Sequence, residues 1–492
     1  MSEIERRART YNAFDGDADV DVVVLGVGTC GEDLSLRLLG AGLDVVGIEA
    51  ALVGGECAYW ACLPSKMMIR AASVLQEARR VGGMAGHAEV TPDWDPVAGR
   101  VRAEATGGWD DSVAVERFEG RGGRLVHGRG KLTGPRTVTV GDEGFTARRG
   151  VVIATGSKPA IPPIPGLAEV DFWTTHDVIQ VERLPKSMVA LGGGAIGCEL
   201  GQVLARFGVD VTIVEAGDRL LPAEEPEASK AVEAAFAAEG IDVHTKAAAQ
   251  RVGSRDGSIV VTLPGGAELA SERLLVATGR TVDLSGLGLE SAGLNDAARF
   301  IQVDERMRAA DGIWAIGDVT GKAMFTHVAL YQSAIVAADI LGEDHPPARY
   351  DAVPRVTFTD PEVGAVGMTE SDALAAGLDV VVAVKQLPAT FRGWLHASGG
   401  GIIKLIADRQ TGVLVGATAV GPHGGEMLGL LNLAVHARVA LAELRSMIYA
   451  FPTFYGGIGE AVGAYGRGLA TVLDPTYQGF EVLDAVGAAE GA

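Results

Sequence analysis

The sequence is short of cysteine, of long apolar segments and of basic residues, and each shortage excludes a class of protein. Only 4 of the 492 residues are cysteine, which excludes the disulfide-rich scaffold of small secreted proteins. No stretch approaches about 18 consecutive apolar residues, so no membrane span is indicated. The opening MSEIERRART lacks the apolar region of a signal peptide. A reducing, cytoplasmic location is therefore expected, where a disulfide is more often catalytic than structural.

Acidic residues outnumber basic ones by 63 to 42, which gives a formal net charge of −21. Such a surface repels phosphate backbones, so nucleic acid is not expected as a partner. Hydrophobic residues make up 48% of the chain and charged residues 21%, a composition that can bury a large core. A length of 492 residues favours about three domains.

One nucleotide-binding pattern occurs twice. The valine-rich run VDVVVLG, residues 20–26, predicts a strand buried on both faces. The glycine loop GVGTCG follows this strand, and after it come a helix-like stretch and a second strand that ends at Glu49. The segment from Ser187 to Glu215 repeats this layout. We interpret it as an internal duplication of a dinucleotide-binding unit, which predicts two bound dinucleotides.

Each glycine loop has the G-x-G-x-x-G spacing, in which the glycines allow a tight turn, close approach of the backbone to a pyrophosphate and close helix packing. The predicted phosphate-cradling glycines are Gly26, Gly28 and Gly31 in the first loop and Gly192, Gly194 and Gly197 in the second. A strand-terminal acid such as Glu49 or Glu215 suits a ribose hydroxyl. The carboxylate of Glu215 would repel a 2′-phosphate, which favours NADH; Arg219, four residues on, keeps NADPH possible.

The motif GGECAYWACLPSK places Cys57 and Cys62 five positions apart. A zinc site would need further ligands at suitable spacing, and a static disulfide over so small a loop would add little stability. Transfer of electrons fits best, because two dinucleotide loops accompany the pair. The other two cysteines, Cys30 and Cys198, are interpreted as small buried hydrophobic residues.

These motifs together resemble the class I flavoprotein disulfide reductases, the family of dihydrolipoamide dehydrogenase, glutathione reductase and mercuric reductase. The resemblance runs from Val20 to Gly468. It includes the family pattern G-G-x-C-x4-C-x-P-S-K at 54–66, two Ala-Thr-Gly phrases and a Gly-Asp turn, all in family order. It implies an α/β fold with two Rossmann-like dinucleotide-binding domains and a C-terminal α+β dimerisation domain, FAD and NADH (NADPH possible) as cofactors, and a homodimer.

The resemblance also implies residue roles. Cys62 would be the thiol nearest the flavin, Cys57 the interchange thiol that meets the substrate, and Lys66 would pair with Glu199 beside the flavin ring. Asp318 would bind the ribityl or phosphate part of the flavin. The cofactor-binding residues implied in this way are Gly26, Gly28, Gly31, Glu49, Gly55, Lys66, Thr155, Gly156, Gly192, Gly194, Gly197, Glu215, Gly279, Gly317 and Asp318.

The predicted domains follow the motifs. They are a flexible tail 1–19, an FAD-binding domain 20–157 completed by 281–349, an NAD(P)-binding domain 158–280, a dimerisation domain 350–470 and a tail 471–492.

The chain departs from the family at its C-terminal phrase. The family has a His-Pro-Thr phrase whose histidine is an acid/base group for the neighbouring subunit, with a glutamate five residues on; here Phe451 and Gly456 stand in those places. Because a positioned base contributes typically about 10²–10⁴-fold, the dithiol half-reaction is expected to be slow. Tyr455 is the nearest polar candidate for a substitute role.

The expected function is an FAD-dependent NAD(P)H:disulfide oxidoreductase, similar to dihydrolipoamide dehydrogenase, that uses a redox-active disulfide of Cys57 and Cys62. Two alternatives stay open. One is a reductase of a metal ion, a quinone or another acceptor, similar to mercuric reductase, which also carries an aromatic residue in place of the histidine. The other is a flavin-holding binding or assembly subunit with weak catalysis. No metal-binding residue is predicted.

Overall fold

The valine-rich segment near the N-terminus forms a strand, as its composition predicts. In the computed structural model, which describes residues 18–464, strand β1 spans Ala18–Leu25 and its last four residues are buried. The described residues divide into two compact units: 18–223 with 232–350, and 224–231 with 351–464. Residues 1–17 and 465–492 lie outside the described residues and include most of the predicted N-terminal tail and all of the predicted C-terminal tail.

The first part of the larger unit contains six strands and five helices. After β1 they are α1 Thr29–Gly40, β2 Val45–Glu49, α2 Gly55–Tyr59, α3 Cys62–Arg79, α4 Asp95–Arg100, α5 Ser112–Glu119, β3 Arg124–His127, β4 Lys131–Gly134, β5 Thr137–Val140 and β6 Glu143–Ile153. A π-helical turn, Val101–Ala105, continues α4. Strands β3, β2, β1 and β6 lie side by side and pair in parallel, and β4 and β5 extend β6 as an antiparallel meander.

The segment that follows contains a second parallel sheet. Its elements are β7 Lys158–Pro159, α6 Thr175–Ile179, β8 Ser187–Leu191, α7 Ala195–Arg206, β9 Asp210–Val214, α8 Pro226–Ala238, β10 Asp242–His244, β11 Arg251–Arg255, β12 Ser258–Thr262, β13 Glu268–Ser271, β14 Arg273–Val276 and β15 Arg280–Thr281. The parallel sheet has the order β10-β9-β8-β14, while β11-β12-β13 form an antiparallel sheet and β15 pairs with β7.

The chain then returns to the first sheet. Strands β16 Arg308–Ala310 and β17 Ile313–Ala315 follow, and helix α9 Thr326–Leu341 closes the unit. Strand β17 pairs in parallel with β6 and completes an eight-stranded sheet. Buried valine, isoleucine and leucine side chains cover both faces of this sheet, which explains why β1 is a nearly continuous apolar run rather than an alternating one.

The smaller unit is built around one antiparallel sheet. Its elements are β18 Pro354–Thr357, β19 Glu362–Gly367, α10 Glu370–Ala375, β20 Val380–Gln386, α11 Phe391–Leu395, β21 Ile402–Asp408, β22 Leu414–Gly421, α12 Gly424–His436, α13 Leu441–Ser446 and α14 Gly456–Ala464. The strand order is β18-β19-β22-β21-β20, and its core includes side chains of α12 and α14. This is the α+β arrangement expected from residue 350 onward.

A buried ion cluster lies in the smaller unit. The side chain of Lys404 is only 2% exposed, and its Nζ lies 2.9 Å from Glu225 Oε2, 3.0 Å from Glu227 Oε1 and 2.8 Å from Glu370 Oε2. Burial opposes the charge of this lysine, but the hydrogen bonds that it donates to Glu370 and Glu225 outweigh burial and raise the pKa of Lys404. The ammonium group is therefore held charged by carboxylates, without which it would not be stable there.

The predicted duplication is present in the structure. Strands β1 and β2, joined by α1, pair in parallel with Val22 opposite Val45. Strands β8 and β9, joined by α7, pair in the same way with Ser187 opposite Asp210. The residue boundaries predicted for the domains remain a prediction.

Candidate active site

The first glycine of each loop occupies a backbone conformation that other residues rarely adopt. Gly26 has a φ of +94° and Gly192 a φ of +109°. A Cβ atom added at Gly26 would lie 2.4 Å from the carbonyl oxygen of Ala154, and one added at Gly192 would lie 2.4 Å from that of Ala277. Both turns therefore require glycine, since the strand that carries an Ala-Thr-Gly phrase passes directly behind each of them.

The third glycine of each loop allows the helix to pack against its strand. A Cβ at Gly31 would lie 2.0 Å from the carbonyl oxygen of Gly26, and one at Gly197 would lie 1.9 Å from that of Gly192. The middle glycine behaves differently, because a Cβ at Gly194 would meet nothing within 4 Å. That open space lies at the start of α7, where no side chain caps the helix.

The start of α1 is similar, with Gly28 at its N-cap and no side-chain cap. A helix N-terminus with uncapped amides and a glycine in front of it fits the pyrophosphate of a dinucleotide. The residues of both loops thus fit the cofactors that the sequence predicts.

The two strand-terminal acids have matching hydrogen bonds. Glu49 accepts from the amide of Val27 at 2.7 Å and from that of Ala51 at 2.8 Å. Glu215 accepts from the amide of Gly193 at 2.7 Å and from that of Gly217 at 2.6 Å. Burial raises the pKa of Glu49, and the backbone hydrogen bonds oppose this shift. Each carboxylate therefore ties its own glycine loop to the end of the neighbouring strand, so that the duplication extends to this detail.

The two cysteines of the motif lie on consecutive helices, a short one that begins against the first glycine loop and a longer one that follows it. Cys57 belongs to α2 and Cys62 is the first residue of α3. A Cβ on Gly55, at the start of α2, would lie 2.7 Å from Gly28 Cα, and Thr29 Oγ1 donates to the carbonyl oxygen of Gly54 at 3.1 Å. The cysteine pair is thus placed next to the loop that the sequence assigns to FAD.

The two thiols differ in acidity. Both are free in the structure, which therefore describes the reduced form of the predicted pair. A hydrogen bond from Cys57, a contact with Thr326 and the charge of Lys66 lower the pKa of Cys62 to about 6, against the effect of burial. The same hydrogen bond, together with burial, raises the pKa of Cys57. The pair is arranged to hold one thiolate, on Cys62, and one proton, on Cys57.

The ion pair implied by the resemblance is present. Lys66 Nζ donates to Glu199 Oε2 at 2.7 Å, and the Glu199 side chain is only 7% exposed. Lys66 follows Cys62 by one helical turn on α3, and Glu199 lies on α7, directly after the second glycine loop. The pair connects the cysteine helix to the second dinucleotide-binding segment.

The Gly-Asp turn and the two Ala-Thr-Gly phrases come together around Arg280. This residue follows Gly279 and donates from Nε to Ser157 Oγ at 2.7 Å and from Nη2 to the Ser157 carbonyl oxygen at 2.7 Å. Ser157 Oγ also hydrogen-bonds to Asp318 Oδ2. The same oxygen of Asp318 lies 3.8 Å from Arg280 Nε.

The glycines around Arg280 are suited to a close ligand. Gly156 and Gly279 both have positive φ and open space where a side chain would be. Gly317 also has a positive φ, and its amide donates to Gln332 Oε1 at 2.6 Å. Thr155 lies beside Gly26, since its Cα is 3.0 Å from where a Cβ of that glycine would be.

Sequence reasoning missed a group of side chains around the helix that carries Cys57. The missed residues are Glu56, Trp109, Ser157, His176, Arg280 and Thr326. Arg280 could have been found from its place after the second Ala-Thr-Gly phrase. His176 is distant from Cys57 in the sequence and belongs to no motif, so the sequence contains no signal that places it at this site.

The C-terminal phrase belongs to the smaller unit. Phe451 is 72% exposed and its ring lies 4.9 Å from that of Phe391. The hydroxyl of Tyr455 accepts a hydrogen bond from the amide of Ala450 at 3.0 Å, so it has a structural contact within its own turn. Gly456 begins α14. The substitute role considered for Tyr455 remains a prediction.

Residues 18–464 were searched for a metal site and for a membrane-spanning helix. Within this range no cluster of three or more His, Cys, Asp or Glu side chains is suited to a metal ion. A search of the same range found no helix long and apolar enough to cross a membrane. Cys30 and Cys198 are buried, as predicted.

Comparison with known families gives two matches along the chain. The family model described as pyridine nucleotide-disulphide oxidoreductase matches residues 20–333, and the model of the dimerisation domain of pyridine nucleotide-disulphide oxidoreductases matches residues 353–462. The predicted fold class, with dinucleotide-binding domains followed by a dimerisation domain, is confirmed.

Individual proteins are similar over nearly the whole chain. A dihydrolipoyl dehydrogenase of Thermus scotoductus is 33% identical over 471 residues, 92% of this chain and 99% of that protein. A mercuric reductase of Bacillus cereus is 30% identical over 465 residues, 93% of this chain and 73% of that protein. Among solved structures, the Cu(II) complex of the HOCl-induced flavoprotein disulfide reductase RclA from Escherichia coli matches with a TM-score of 0.80 at 26% identity, covering 91% of this chain and 99% of that one.

Proposed function

Because the chain belongs to the pyridine nucleotide-disulphide oxidoreductase family, we propose that its acceptor is a small-molecule disulfide, reduced through Cys57 and Cys62 as in a dihydrolipoamide dehydrogenase. The enzyme is an oxidoreductase that depends on FAD and takes electrons from NAD(P)H. The observation that carries the proposal is the unequal thiol pair, in which the pKa of Cys62 is lowered to about 6 and that of Cys57 is raised.

The proposed roles follow from this difference. Cys62, already a thiolate near neutral pH, would be the sulfur next to the flavin, and Lys66 with its partner Glu199 would supply the positive charge that stabilises negative charge there. FAD, when bound, supplies two-electron transfer between the nicotinamide nucleotide and these sulfur atoms. The two glycine loops with Glu49 and Glu215, and the turn at Asp318, hold the two cofactors.

The interchange step is assigned to Cys57. After losing its proton, its thiolate attacks one sulfur of the acceptor disulfide, which forms a mixed disulfide and releases the first acceptor thiolate. The Cys62 thiolate then attacks the Cys57 sulfur, releases the second acceptor thiolate and closes the Cys57–Cys62 bond. The acceptor gains two electrons and, from solvent, two protons.

We infer that NADH is preferred over NADPH. Both oxygens of Glu215 are fixed by backbone amides at the end of β9, so the carboxylate stays where a 2′-phosphate would have to lie and repels it. Arg219, which lies nearby, donates from Nη2 to the Pro222 carbonyl oxygen at 2.9 Å and lies beside Asp218. The measurement is the ratio of initial rates with the two nucleotides.

A metal-ion acceptor is the second candidate. Phe451 stands where the family has its histidine base, and a related protein is named mercuric reductase. A metal ion or a quinone does not need Cys57 to be deprotonated by a partner histidine, so such an acceptor would tolerate this replacement.

An acceptor panel tests both candidates. Purified holoenzyme is given NADH with lipoamide, glutathione disulfide, a mycothiol-type disulfide, Hg(II) or a quinone. The proposal expects a disulfide to be turned over, with the activity lost in both Cys57→Ser and Cys62→Ser, and it expects the thiolate–flavin absorption band to persist in Cys57→Ser and vanish in Cys62→Ser. Quinone reduction that survives both substitutions, without reduction of any disulfide, would contradict it.

We infer that the protein acts as a homodimer. The match to the dimerisation domain supports this, and so do exposed apolar side chains on the smaller unit, which would be covered in a dimer: Trp394, Leu433, Ile448 and Phe451. Measuring the mass in solution tests it. The cytoplasmic location expected from the sequence remains a prediction.

A further inference from the structure

Glu56, the residue before Cys57, has both carboxylate oxygens engaged. Its Oε1 lies 2.7 Å from His176 Nε2, and its Oε2 accepts from Arg280 Nη2 at 3.0 Å. Burial opposes the charge of Glu56, but the hydrogen bonds and charges of His176 and Arg280 outweigh it and lower the pKa of this carboxyl. An ionised carboxylate is thus fixed from two sides at the residue that precedes Cys57 in the chain.

The contact with Arg280 extends beyond Glu56. The same guanidinium donates to Ser157 at two atoms and lies 3.8 Å from Asp318. The helix that carries Cys57 is thereby tied to the Gly-Asp turn and to both Ala-Thr-Gly phrases, which contain residues predicted to bind the cofactors.

Trp60, the residue that directly follows α2, provides a second attachment. Its ring stacks with that of His176, at 4.5 Å and an interplanar angle of 14°, and with that of Trp109, at 5.7 Å and 26°. The amide of Trp60 donates to the carbonyl oxygen of Glu56 at 2.8 Å, which closes the single turn of α2. His176 contacts the side chains of both residues, so one side chain holds the first turn of α2 and the residue that ends it.

We propose that Glu56 and Trp60 are positioning residues, which hold Cys57 relative to Cys62 through His176, Trp109 and Arg280 and so set the balance between the dithiol and the disulfide. The inference rests on the proposed function. Closing the disulfide joins the two sulfur atoms at about 2 Å; two electrons pass to the acceptor, which takes its two protons from solvent, while the proton of Cys57 is released to solvent. Cys57 and Cys62 lie on different helices, so the cost of that approach depends on how firmly α2 is held.

The two residues should act by different physical routes. Glu56 contributes a negative charge at the residue before Cys57, so its removal leaves Arg280 with only the more distant Asp318 as a counter-charge. The surroundings of the thiols become more positive, which favours thiolate and stabilises the dithiol. Trp60 contributes no charge, so its removal frees the helix and disfavours the disulfide without moving the thiol titration. The ionisable groups that face Glu56 are His176 and Arg280, with Asp318 beyond Arg280, and Lys66 lies beside Cys62.

The test uses purified holoenzyme equilibrated with mixtures of dihydrolipoamide and lipoamide, with the two cysteine states counted by alkylation and mass spectrometry. Loss of a charge-assisted hydrogen bond corresponds to roughly tenfold or more, so Glu56→Gln should require a mixture richer in lipoamide by that factor to reach half oxidation. The midpoint of its thiolate titration should also fall. Trp60→Leu should move the equilibrium in the same direction and leave the titration midpoint unchanged, and Glu56→Asp should restore the midpoint.

Glu104→Gln is the matched control, because Glu104 pairs with Arg100 in an exposed contact outside the network; it should behave as the unmodified enzyme. If Glu56→Gln fails to fold, His176→Phe decides. This variant keeps an aromatic ring against Trp60 but removes the nitrogen that contacts Glu56. The negative charge of Glu56 is then less neutralised, which disfavours the thiolate, so the midpoint of the thiolate titration should rise.

Several outcomes would overturn the inference. These are an equilibrium and a midpoint of Glu56→Gln that match Glu104→Gln, an unchanged midpoint in His176→Phe, or variants that differ only in thermal stability. If NADH fails to reduce the Cys57–Cys62 disulfide in the unmodified enzyme, the proposed function is wrong, and the inference that rests on it is wrong too. Normal reduction in the unmodified enzyme with unaffected variants overturns the inference alone.

Discussion

The acidity of Cys62 gives the sharpest prediction, because it assigns a charge to one of two neighbouring sulfur atoms. With a pKa of about 6, about nine in ten Cys62 side chains are ionised at pH 7, whereas a cysteine with the ordinary pKa of about 8.5 is only about 3% ionised. A lowered pKa keeps the charged form at lower pH, so the thiolate should be present above pH 6 and lost as the pH falls through that value. Cys57 should keep its proton throughout, since its pKa is raised.

The assay is the ultraviolet thiolate absorbance of the reduced holoenzyme minus that of reduced Cys62→Ser, followed from about pH 5 to 9. Lys66→Met should raise the midpoint by about 1 unit, the lower end of the effect of a nearby opposite charge, because the Lys66 side chain is partly exposed. Lys385→Met, which removes a lysine of the smaller unit paired with Glu460, is the control. A single midpoint near 8.5, or a Lys66→Met titration identical to the control, would refute the reasoning.

Three further predictions concern other parts of the chain. Lys404→Met leaves buried glutamates without their cation and should cost about 3–5 kcal/mol in the free energy of unfolding measured with denaturant, whereas Lys385→Met should cost less than about 1 kcal/mol. Gly26→Ala should lose bound flavin, measured by absorbance, because its Cβ would clash with a carbonyl oxygen; Gly42→Ala has a positive φ but open space, so it should keep its flavin at a cost of about 1–2 kcal/mol. Phe451→His should raise lipoamide turnover by about tenfold or more if a base is what the dithiol step lacks, and an unchanged rate would show that the base is not limiting.

Much of the site could be predicted from sequence because backbone geometry restricts it. Gly26 and Gly192 each combine a positive φ with a carbonyl oxygen directly behind them, so only glycine is possible and the spacing is visible in the sequence. The same holds for Glu49 and Glu215, whose distance from the loop is fixed by the strand–helix–strand unit. Local constraints of this kind leave a pattern that can be read without a structure.

The surroundings of Cys57 could not be predicted in the same way. His176 is 120 residues from Glu56, and Arg280 is 224 residues from it. Their contacts arise only when α6 and the segment after β14 fold next to α2, and a single glutamate, histidine or arginine in a sequence does not indicate its partner. The same is true of Trp60, whose ring stacks with those of His176 and Trp109, residues that are distant from it in the sequence.

The replacement of the family histidine by Phe451 affects the two sulfur atoms unequally. The Cys62 thiolate is stabilised by Cys57, Thr326 and Lys66, all of them in the larger unit of the same chain, so it needs no group from a partner subunit. What the replacement removes is the base that would take the proton of Cys57 when this residue attacks the acceptor. Reduction of the pair by NADH should therefore proceed normally, and the pH dependence of turnover should reside in the later step, in which Cys57 attacks the acceptor.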